Sequence, residues 1–408
     1  MSGFTYSVVA SALHDPTHSE FFVDSVLGPL HELGGRRADV ADLELHIPHV
    51  IVVASGGTEA AALDIVARRR IHAPWEPVVL IAHGLHNSLP AALETLARVR
   101  QHDVAGRVVQ IDDAGEPAAS IDDLLTLQWF HHARLGLIGE PSEWLVASVP
   151  DRDAVRRRWG VELVDVPVGE AIRHHADARD VDVQPVAVRF SGGGRPTHET
   201  VVAAALHPTL EKLIDAHRLD SVAVRCFDFI TDLNTSGCIA LAELNDTGVV
   251  AGCEGDIAST VAMMLVRRLL DQPSWIANPA RIDVEAGELL LAHCTVAPSM
   301  VDDLELHTHF ESGLGIGIRG TFAPGPVTLL RLGGRELERH WFAEGEVVSS
   351  GSADDLCRTQ VTLRGIEGLD ALVDDPLGNH LVMVQGHHRR RFERWMRLAH
   401  GGSGARSG

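Results

Sequence analysis

The segment GCEGD at 252–256 places two acidic residues, Glu254 and Asp256, between two apolar runs of the chain. The run 247–251 has the pattern of a strand, and the run 257–270 has the periodicity of a helix. Carboxylates seldom lie in apolar surroundings unless they are paired or bind a cation. One interpretation is a helix cap at Asp256, with Glu254 near the positive helix end. The other is a functional site, and the pattern alone leaves both open.

Four of the 24 histidines stand where an imidazole could complete such a site. His293 closes an apolar run, and His380 opens the last predicted strand. His307 and His309 are two residues apart, so on a strand both side chains would face the same side. Imidazole and carboxylate ligands together suit a divalent ion such as Mn²⁺. The set predicts a metal site with Glu254, although each histidine taken singly is more typical of a surface or hydrogen-bonded residue than of a ligand.

Three polar residues follow another predicted strand. His83, Asn87 and Ser88 lie between the apolar run 77–82 and a helical pattern. Ligands of parallel sheets bind at the carboxyl ends of the strands, so these side chains are candidates for binding substrate hydroxyls. The alternative is an ordinary loop that ends in a helix cap.

Strand and helix patterns alternate through the first two thirds of the chain, which predicts parallel sheets covered by helices. After Pro273 the strand patterns come close together between Gly and Pro turns, as in 288–293 and 325–332. This texture indicates an antiparallel sheet or small barrel. We therefore expect an α/β fold of two doubly wound parallel-sheet domains and a β-rich C-terminal domain. The expected boundaries are 1–133, 134–272 and 273–400, followed by a disordered tail at 401–408.

Composition excludes several classes of partner. The chain has 56 acidic and 35 basic residues, a net charge of −21, which argues against binding to nucleic acid or to anionic membranes. No apolar run is long enough to span a membrane, and we expect no signal peptide. Five widely spaced cysteines, an odd number, favour reduced thiols. We expect a cytoplasmic protein. The basic stretch at 387–397 is expected to form the solvated face of a terminal helix.

Four motifs occur in order along the chain: ALAELNDTGVVAGCEGD, WIANPARIDVEAGELLLAHCT, GPVTLLRLGG and CRTQV. Together they resemble the L-fucose/L-arabinose isomerase superfamily, most closely its short fucose isomerase-like branch. The resemblance implies two α/β domains and a β-rich domain. It also implies interconversion of aldoses and ketoses at a Mn²⁺ site in a homo-oligomer, a trimer or hexamer.

The resemblance implies metal ligands at Glu254, Asn278, His293 and His380. Asn278 departs from the family pattern, which has Asp or Glu at this position. An amide oxygen can bind a hard cation weakly, but it cannot take up a proton as a carboxylate does. Glu254 could still act as a base.

A second acid/base group would then come from elsewhere in the chain. The candidates are Asp256, Glu311 and His309, and His309 is also a candidate for binding the substrate.

These observations favour a metal-dependent aldose–ketose isomerase, an intramolecular oxidoreductase that acts on an open-chain sugar through an ene-diol. A sugar-binding or regulatory paralogue is the alternative that Asn278 favours. A related sugar epimerase would use the same proton abstraction, and fold alone does not separate these functions.

Overall fold

The computed structural model describes residues 3–113 and 115–401. Two compact units divide them: unit 1 comprises residues up to 131 together with 393–401, and unit 2 comprises residues 132–392. The predicted tail at 401–408 lies outside the described residues, apart from Gly401.

Unit 1 contains a five-stranded sheet in which every neighbouring pair is parallel. Its strand order is β2-β1-β3-β4-β5, with β1 Phe4–Val9, β2 Gly35–Arg37, β3 His49–Val53, β4 Val78–Ala82 and β5 Gly106–Gln110. All residues of β3 and β4 are buried. Helices on both faces explain why these strands are continuous apolar runs without alternation.

The helices of unit 1 follow the strands in the expected alternation. They are a π-helix Phe22–Leu27, α1 Gly28–Glu32, a 3₁₀ helix Val40–Glu44, α2 Glu59–His72, α3 Ser88–Arg100 and α4 Glu116–Phe130. The last part of the helix Arg389–His400 also belongs to this unit. Its Trp395 is fully buried and contacts Phe130, with ring centroids 5.6 Å apart.

The α/β part of unit 2 has a four-stranded parallel sheet with the order β7-β6-β8-β9. The strands are β6 Arg134–Ile138, β7 Glu162–Val166, β8 Ser221–Val224 and β9 Val250–Gly252. Its helices are α5 Arg152–Trp159, α6 Val168–Ala176, α7 Asp180–Phe190, α8 His198–Ala204, α9 Leu206–His217, α10 Phe227–Leu233, α11 Cys238–Thr247 and α12 Ile257–Leu270.

The rest of unit 2 is a closed six-stranded barrel, β10-β11-β16-β15-β14-β17, in which neighbouring strands are antiparallel. The strands β12 and β13 form a separate two-stranded ribbon. The strands are β10 Trp275–Asp283, β11 Glu288–His293, β12 Asp303–His307, β13 Gly317–Thr321, β14 Gly325–Gly333, β15 Arg339–Gly351, β16 Thr359–Arg364 and β17 Leu381–Gln385. Short helices occur at Pro298–Met300 and, as α13, Asp370–Asp374 before α14 Arg389–His400.

The predicted fold class is confirmed: parallel-sheet α/β layers precede an antiparallel barrel. Two local expectations are wrong. The strand expected at 247–251 is only Val250–Gly252, because α11 extends to Thr247. His307 ends β12, so His309 lies outside the strand, and the two histidines do not share a strand face.

The five cysteines are free. Among the described helices, none combines the length and the apolar character needed to cross a membrane.

Candidate active site

Three neighbouring strands of the unit 2 sheet each end in a loop that contributes to one site. Trp144 lies in the loop after β6, Phe227 begins the helix after β8, and Glu254 lies in the turn after β9. Since β6, β8 and β9 are parallel neighbours, their carboxyl ends lie along one edge of the sheet. This is the edge at which open α/β sheets bind ligands.

The turn after β9 has an unusual backbone. Glu254 has φ 61° and Gly255 has φ 70°, two consecutive left-handed residues. Glu254 pays conformational strain there, of a kind that clusters at functional sites. The Glu254 carbonyl accepts a hydrogen bond from the Ser142 amide at 3.0 Å. A Cβ on Gly255 would lie 2.8 Å from the Pro141 Cα atom, so glycine allows the two loops to pack together.

The barrel brings two histidines to the same carboxylate. His293 ends β11 and His380 immediately precedes β17. The Glu254 Oε1 atom lies 3.6 Å from His293 Nε2 and 3.5 Å from His380 Nε2. Each of the three residues offers a ligand atom within 4.8 Å of the others, and all three are buried. The structure thus brings together three of the four predicted metal ligands.

Asp256 lies directly behind His380. Its carboxylate accepts a hydrogen bond from His380 Nδ1 at 2.9 Å and from the Ser259 amide at 2.8 Å. The second bond is the N-cap of α12, so the cap interpretation of Asp256 is correct. The fully buried Arg331 lies 3.4 Å from the same carboxylate. Asp256 therefore holds His380 with its Nε2 atom facing Glu254, as a carboxylate behind a metal-bound histidine does.

The pKa values of three ionisable groups in the site are strongly shifted. Burial raises the pKa of Glu254, but interactions with the His293 and His380 imidazoles, 3.6 and 3.5 Å away, outweigh burial and hold the pKa well below its usual range. Burial likewise opposes ionisation of Asp256, yet His380 and Arg331 lower its pKa to about 2. For His380, burial lowers the pKa, and Asp256 and Glu254 together raise it to about 9. Both carboxylates are therefore anionic at neutral pH.

These residues fit a divalent metal ion. His380 Nε2, which faces Glu254, is a buried atom with no hydrogen-bond partner. Buried polar atoms are usually paired, so an unpaired imidazole nitrogen directed at a buried carboxylate fits a position for a metal ion. Two imidazoles and one carboxylate form a donor set suited to Mn²⁺, Fe²⁺ or a related ion.

Asn278 lies on β10, which pairs with β11 on one side and with β17 on the other. It pairs with Ala292, the residue before His293. The register Ala277↔Leu381 makes His380 the next position opposite it. The Asn278 side-chain oxygen accepts a 3.4 Å hydrogen bond from Asn379. The strand ladder thus supports its assignment near the site, and its role as a ligand stays a prediction.

The remaining acid/base candidates form a pair of their own. The His309 Nε2 atom lies 3.2 Å from Glu311 Oε2. The His309 ring contacts the Phe227 ring edge to face, with centroids 5.5 Å apart. Glu311 is 44% exposed, whereas His309 is buried. His307 instead pairs with Glu305, 3.2 Å away, on β12 of the two-stranded ribbon.

The three residues suggested for substrate hydroxyls belong to unit 1. His83 is buried, and its Nε2 atom lies 3.0 Å from the Ala54 carbonyl oxygen. The Ser88 hydroxyl donates to the Val53 carbonyl and accepts from the His83 amide at 3.0 Å. Asn87 is exposed, has φ 58° and makes no side-chain cap. Two of the three side chains thus serve the loop itself, and their binding role stays a prediction.

Sequence reasoning missed Trp144 and Phe227. The Trp144 indole N–H donates to Glu254 Oε2 at 2.6 Å. The available signal is position: Trp144 lies in the loop after β6, at the carboxyl end of a parallel strand, where ligands bind.

No protein-family model matches the chain. It is similar to proteins named sulfoquinovose isomerase. Those of Priestia aryabhattai and Priestia megaterium are each 25% identical over 181 residues, 43% of this chain and 40% of theirs. That of Clostridium sp. (strain MSTE9) is 24% identical over 123 residues, 30% of this chain and 26% of its own. The matches therefore span about two fifths of the length of the Priestia relatives.

Proposed function

We propose that this protein is a metal-dependent aldose–ketose isomerase that acts on an open-chain sugar or sugar derivative. The observation that carries the proposal is the buried group of Glu254, His293 and His380, with Asp256 behind one imidazole. The similarity to proteins named sulfoquinovose isomerase supports it. Sulfoquinovose is therefore the first sugar to test.

In this proposal Glu254, His293 and His380 hold a divalent ion such as Mn²⁺, and Asn278 adds a neutral ligand or a hydrogen bond to the sugar. When bound, the ion supplies Lewis-acid polarisation of the sugar oxygens. Because ligating imidazoles must be unprotonated, metal binding displaces the proton that His380 carries at neutral pH. Asp256 keeps the imidazole in place through this change.

Isomerisation moves one proton between adjacent carbons. A base removes the proton from C2 of the aldose, and a proton is returned to C1, while a proton passes from the O2 hydroxyl to O1. Glu254 is the first candidate for the base. The His309–Glu311 pair is the candidate for the second group, because it is joined to the site through Phe227 and is partly open to solvent.

Asp256 is not given a proton-transfer role in this mechanism. It lies beside Arg331 with no exposed surface, so a substrate atom does not reach its oxygens. It acts as a positioning residue, in place of the catalytic role that the sequence suggested.

Metal content tests the first half of the proposal. Protein purified without chelator should hold about one Mn²⁺ or Fe²⁺ per chain by elemental analysis, and Glu254→Gln and His380→Ala should each lose it. His307→Ala is a matched control, since this histidine also pairs with a glutamate but lies in the ribbon. A chain without metal, whose thermal midpoint does not rise with Mn²⁺, would exclude a metal-dependent isomerase.

Isotope exchange tests whether the protein interconverts an aldose and a ketose. The Mn²⁺-loaded protein, incubated in D₂O with sulfoquinovose, L-fucose, L-arabinose and D-glucose, should convert at least one of them to its ketose with deuterium entering carbon-bound positions. A product that remains an aldose with inverted C2 identifies an epimerase. Binding of a sugar without any exchange identifies the sugar-binding paralogue that Asn278 favours.

A further inference from the structure

A large aromatic ring lies open to solvent beside the central carboxylate of the site. Trp144 is 50% exposed, although its indole N–H donates a 2.6 Å hydrogen bond to Glu254 Oε2. The other oxygen of Glu254 faces the two histidines. The indole thus fixes one carboxylate oxygen while the other is directed at the proposed metal position.

The loop that carries Trp144 is held on both sides. The preceding Ser142 amide donates to the Glu254 carbonyl at 3.0 Å, and the following Leu145 is buried. The Arg225 guanidinium donates to the Pro141 carbonyl at 3.2 Å and to Glu143 at 2.6 Å. The exposure of the ring is therefore a property of a well-anchored loop.

The Trp144 ring contacts a second aromatic ring, that of Phe227. The two rings meet edge to face, with centroids 5.0 Å apart and planes at 81°. Phe227 meets His309 in the same manner, 5.5 Å apart at 80°. The rings of Trp144 and Phe227, called the aromatic wall below, therefore run from Glu254 to the His309–Glu311 pair.

Such a wall matches the surface of a sugar. A pyranose or open-chain sugar has apolar C–H faces between its hydroxyl groups, and an aromatic face covers them without leaving hydroxyls unpaired. Ligand sites are commonly lined by aromatic side chains beside a few polar groups, which is the arrangement at Trp144 and Glu254. The two rings flank both groups to which proton transfer is assigned.

We propose that the aromatic wall of Trp144 and Phe227 binds the C–H face of the sugar substrate, and that the Trp144 indole N–H positions Glu254. The inference rests on the proposed isomerase function and assigns a carbohydrate-binding surface to that site.

Two substitutions separate the two roles of Trp144. Trp144→Phe keeps an aromatic face and removes the N–H donor, so Mn²⁺ affinity by titration calorimetry should fall about tenfold or more, while the KM for the sugar stays within about threefold. Trp144→Leu removes the face as well, so KM should rise at least about tenfold. Phe227→Leu tests the same wall without touching the donor and should raise KM with Mn²⁺ affinity unchanged.

The matched control is Trp341→Phe. This half-buried tryptophan also donates its indole N–H, to the Gly368 carbonyl at 3.2 Å, but it lies on barrel strand β15. It should leave Mn²⁺ affinity and KM unchanged. A spectroscopic readout is independent of turnover: sugar should shift the emission of the wild-type protein and of Trp341→Phe, and this shift should disappear in Trp144→Phe.

The outcomes test separately the aromatic wall, the positioning role of Trp144 and the isomerase function. Unchanged KM and unchanged emission response in Trp144→Leu overturn the wall, and unchanged Mn²⁺ affinity in Trp144→Phe overturns the positioning role. A wild-type protein that neither binds nor converts sulfoquinovose, L-fucose, L-arabinose or D-glucose overturns the isomerase function, and the wall with it.

Discussion

At the scale of single residues, Asp256 combines a helix cap with the support of a histidine. Asn is also a good N-cap, so Asp256→Asn should preserve the start of α12 while removing the charge that faces His380 and Arg331. We expect Mn²⁺ affinity to fall about 10–100-fold. We expect the unfolding free energy to fall by about 3–5 kcal/mol, because the buried Arg331 cation loses its carboxylate partner. Calorimetric titration and urea unfolding measure the two effects.

Asp151→Asn is the control for this change. Asp151 caps α5 through the Ala154 amide, and its partner Arg335 is 84% exposed. The control should change stability by less than about 1 kcal/mol. Wild-type metal affinity in Asp256→Asn would contradict the role assigned to the carboxylate.

A second prediction at the scale of single residues concerns His49 and the pH dependence of folding stability. Burial, followed by the nearby Arg69 cation, lowers the pKa of His49 to about 3, from 6.5. Between these values the unfolded chain binds a proton that the folded chain does not, so stability decreases as pH falls below about 6.5. His49 alone should account for a loss of about 2 kcal/mol between pH 7 and 5.

The measurement is the thermal midpoint of wild type and His49→Asn at both pH values. Asn retains a group able to bond the Thr5 hydroxyl, which lies 2.9 Å from His49 Nδ1. The variant should lose less stability on acidification than wild type. The exposed His72→Asn should behave as wild type, and equal losses in all three proteins would refute the assignment.

At the scale of elements, the turn between β9 and α12 depends on Gly255. An alanine there meets both a left-handed backbone and the Pro141 Cα atom at 2.8 Å. Gly365 has nearly the same φ, 72° against 70°, but open space around its Cβ position. We expect Gly365→Ala to reduce stability by about 1 kcal/mol and Gly255→Ala by at least about 2 kcal/mol more, with weaker Mn²⁺ binding. Equal effects in urea unfolding would show that the loop contact is unimportant.

Elements with strong local signals could be predicted from the sequence. The bounds 257–270 and 288–293 are those of α12 and β11. The strand β10 escaped notice because Pro279 and a register shift before Arg281 interrupt its pattern. The strand assignment of His309 failed because two-residue spacing says nothing about where a strand ends.

The site itself could be predicted only in part. Glu254 stood out because an acid in an apolar run is unusual. His293 and His380 lie far from Glu254 along the chain, so no sequence spacing identifies them as ligands. Their assignment came from the resemblance to known isomerases. The hydrogen bond from Trp144 depends on the path of a loop, which local patterns do not encode.

At the scale of the whole molecule, unit 1 is completed by a helix from the far end of the chain. Arg394 donates to the Glu116 carboxylate at 2.6 Å and to the buried Asp123 at 3.1 Å. Trp395 donates to the Asp123 carbonyl at 3.2 Å. The basic stretch at 387–397 does form a helix, but these side chains are held against unit 1 rather than being only solvated.

Trp395→Ala should therefore destabilise unit 1 by about 3–5 kcal/mol. Differential scanning calorimetry should show a lower transition temperature for the residues of unit 1, with Mn²⁺ binding by unit 2 retained. Trp341→Ala, in the barrel, is the matched control. Loss of metal binding together with the first transition would contradict the prediction. The trimeric or hexameric assembly, the cytoplasmic location and the domain boundaries stay predictions.

The dependence of unit 1 on this helix has a consequence for synthesis on the ribosome. Residue 131 and residue 393 are separated by 262 positions (393 − 131), all of which must be translated before unit 1 can close. At roughly 5–20 residues per second this takes about 13–50 s. During that interval the nascent sheet of unit 1 exposes the surface that Trp395 later covers, so we expect that surface to bind a chaperone.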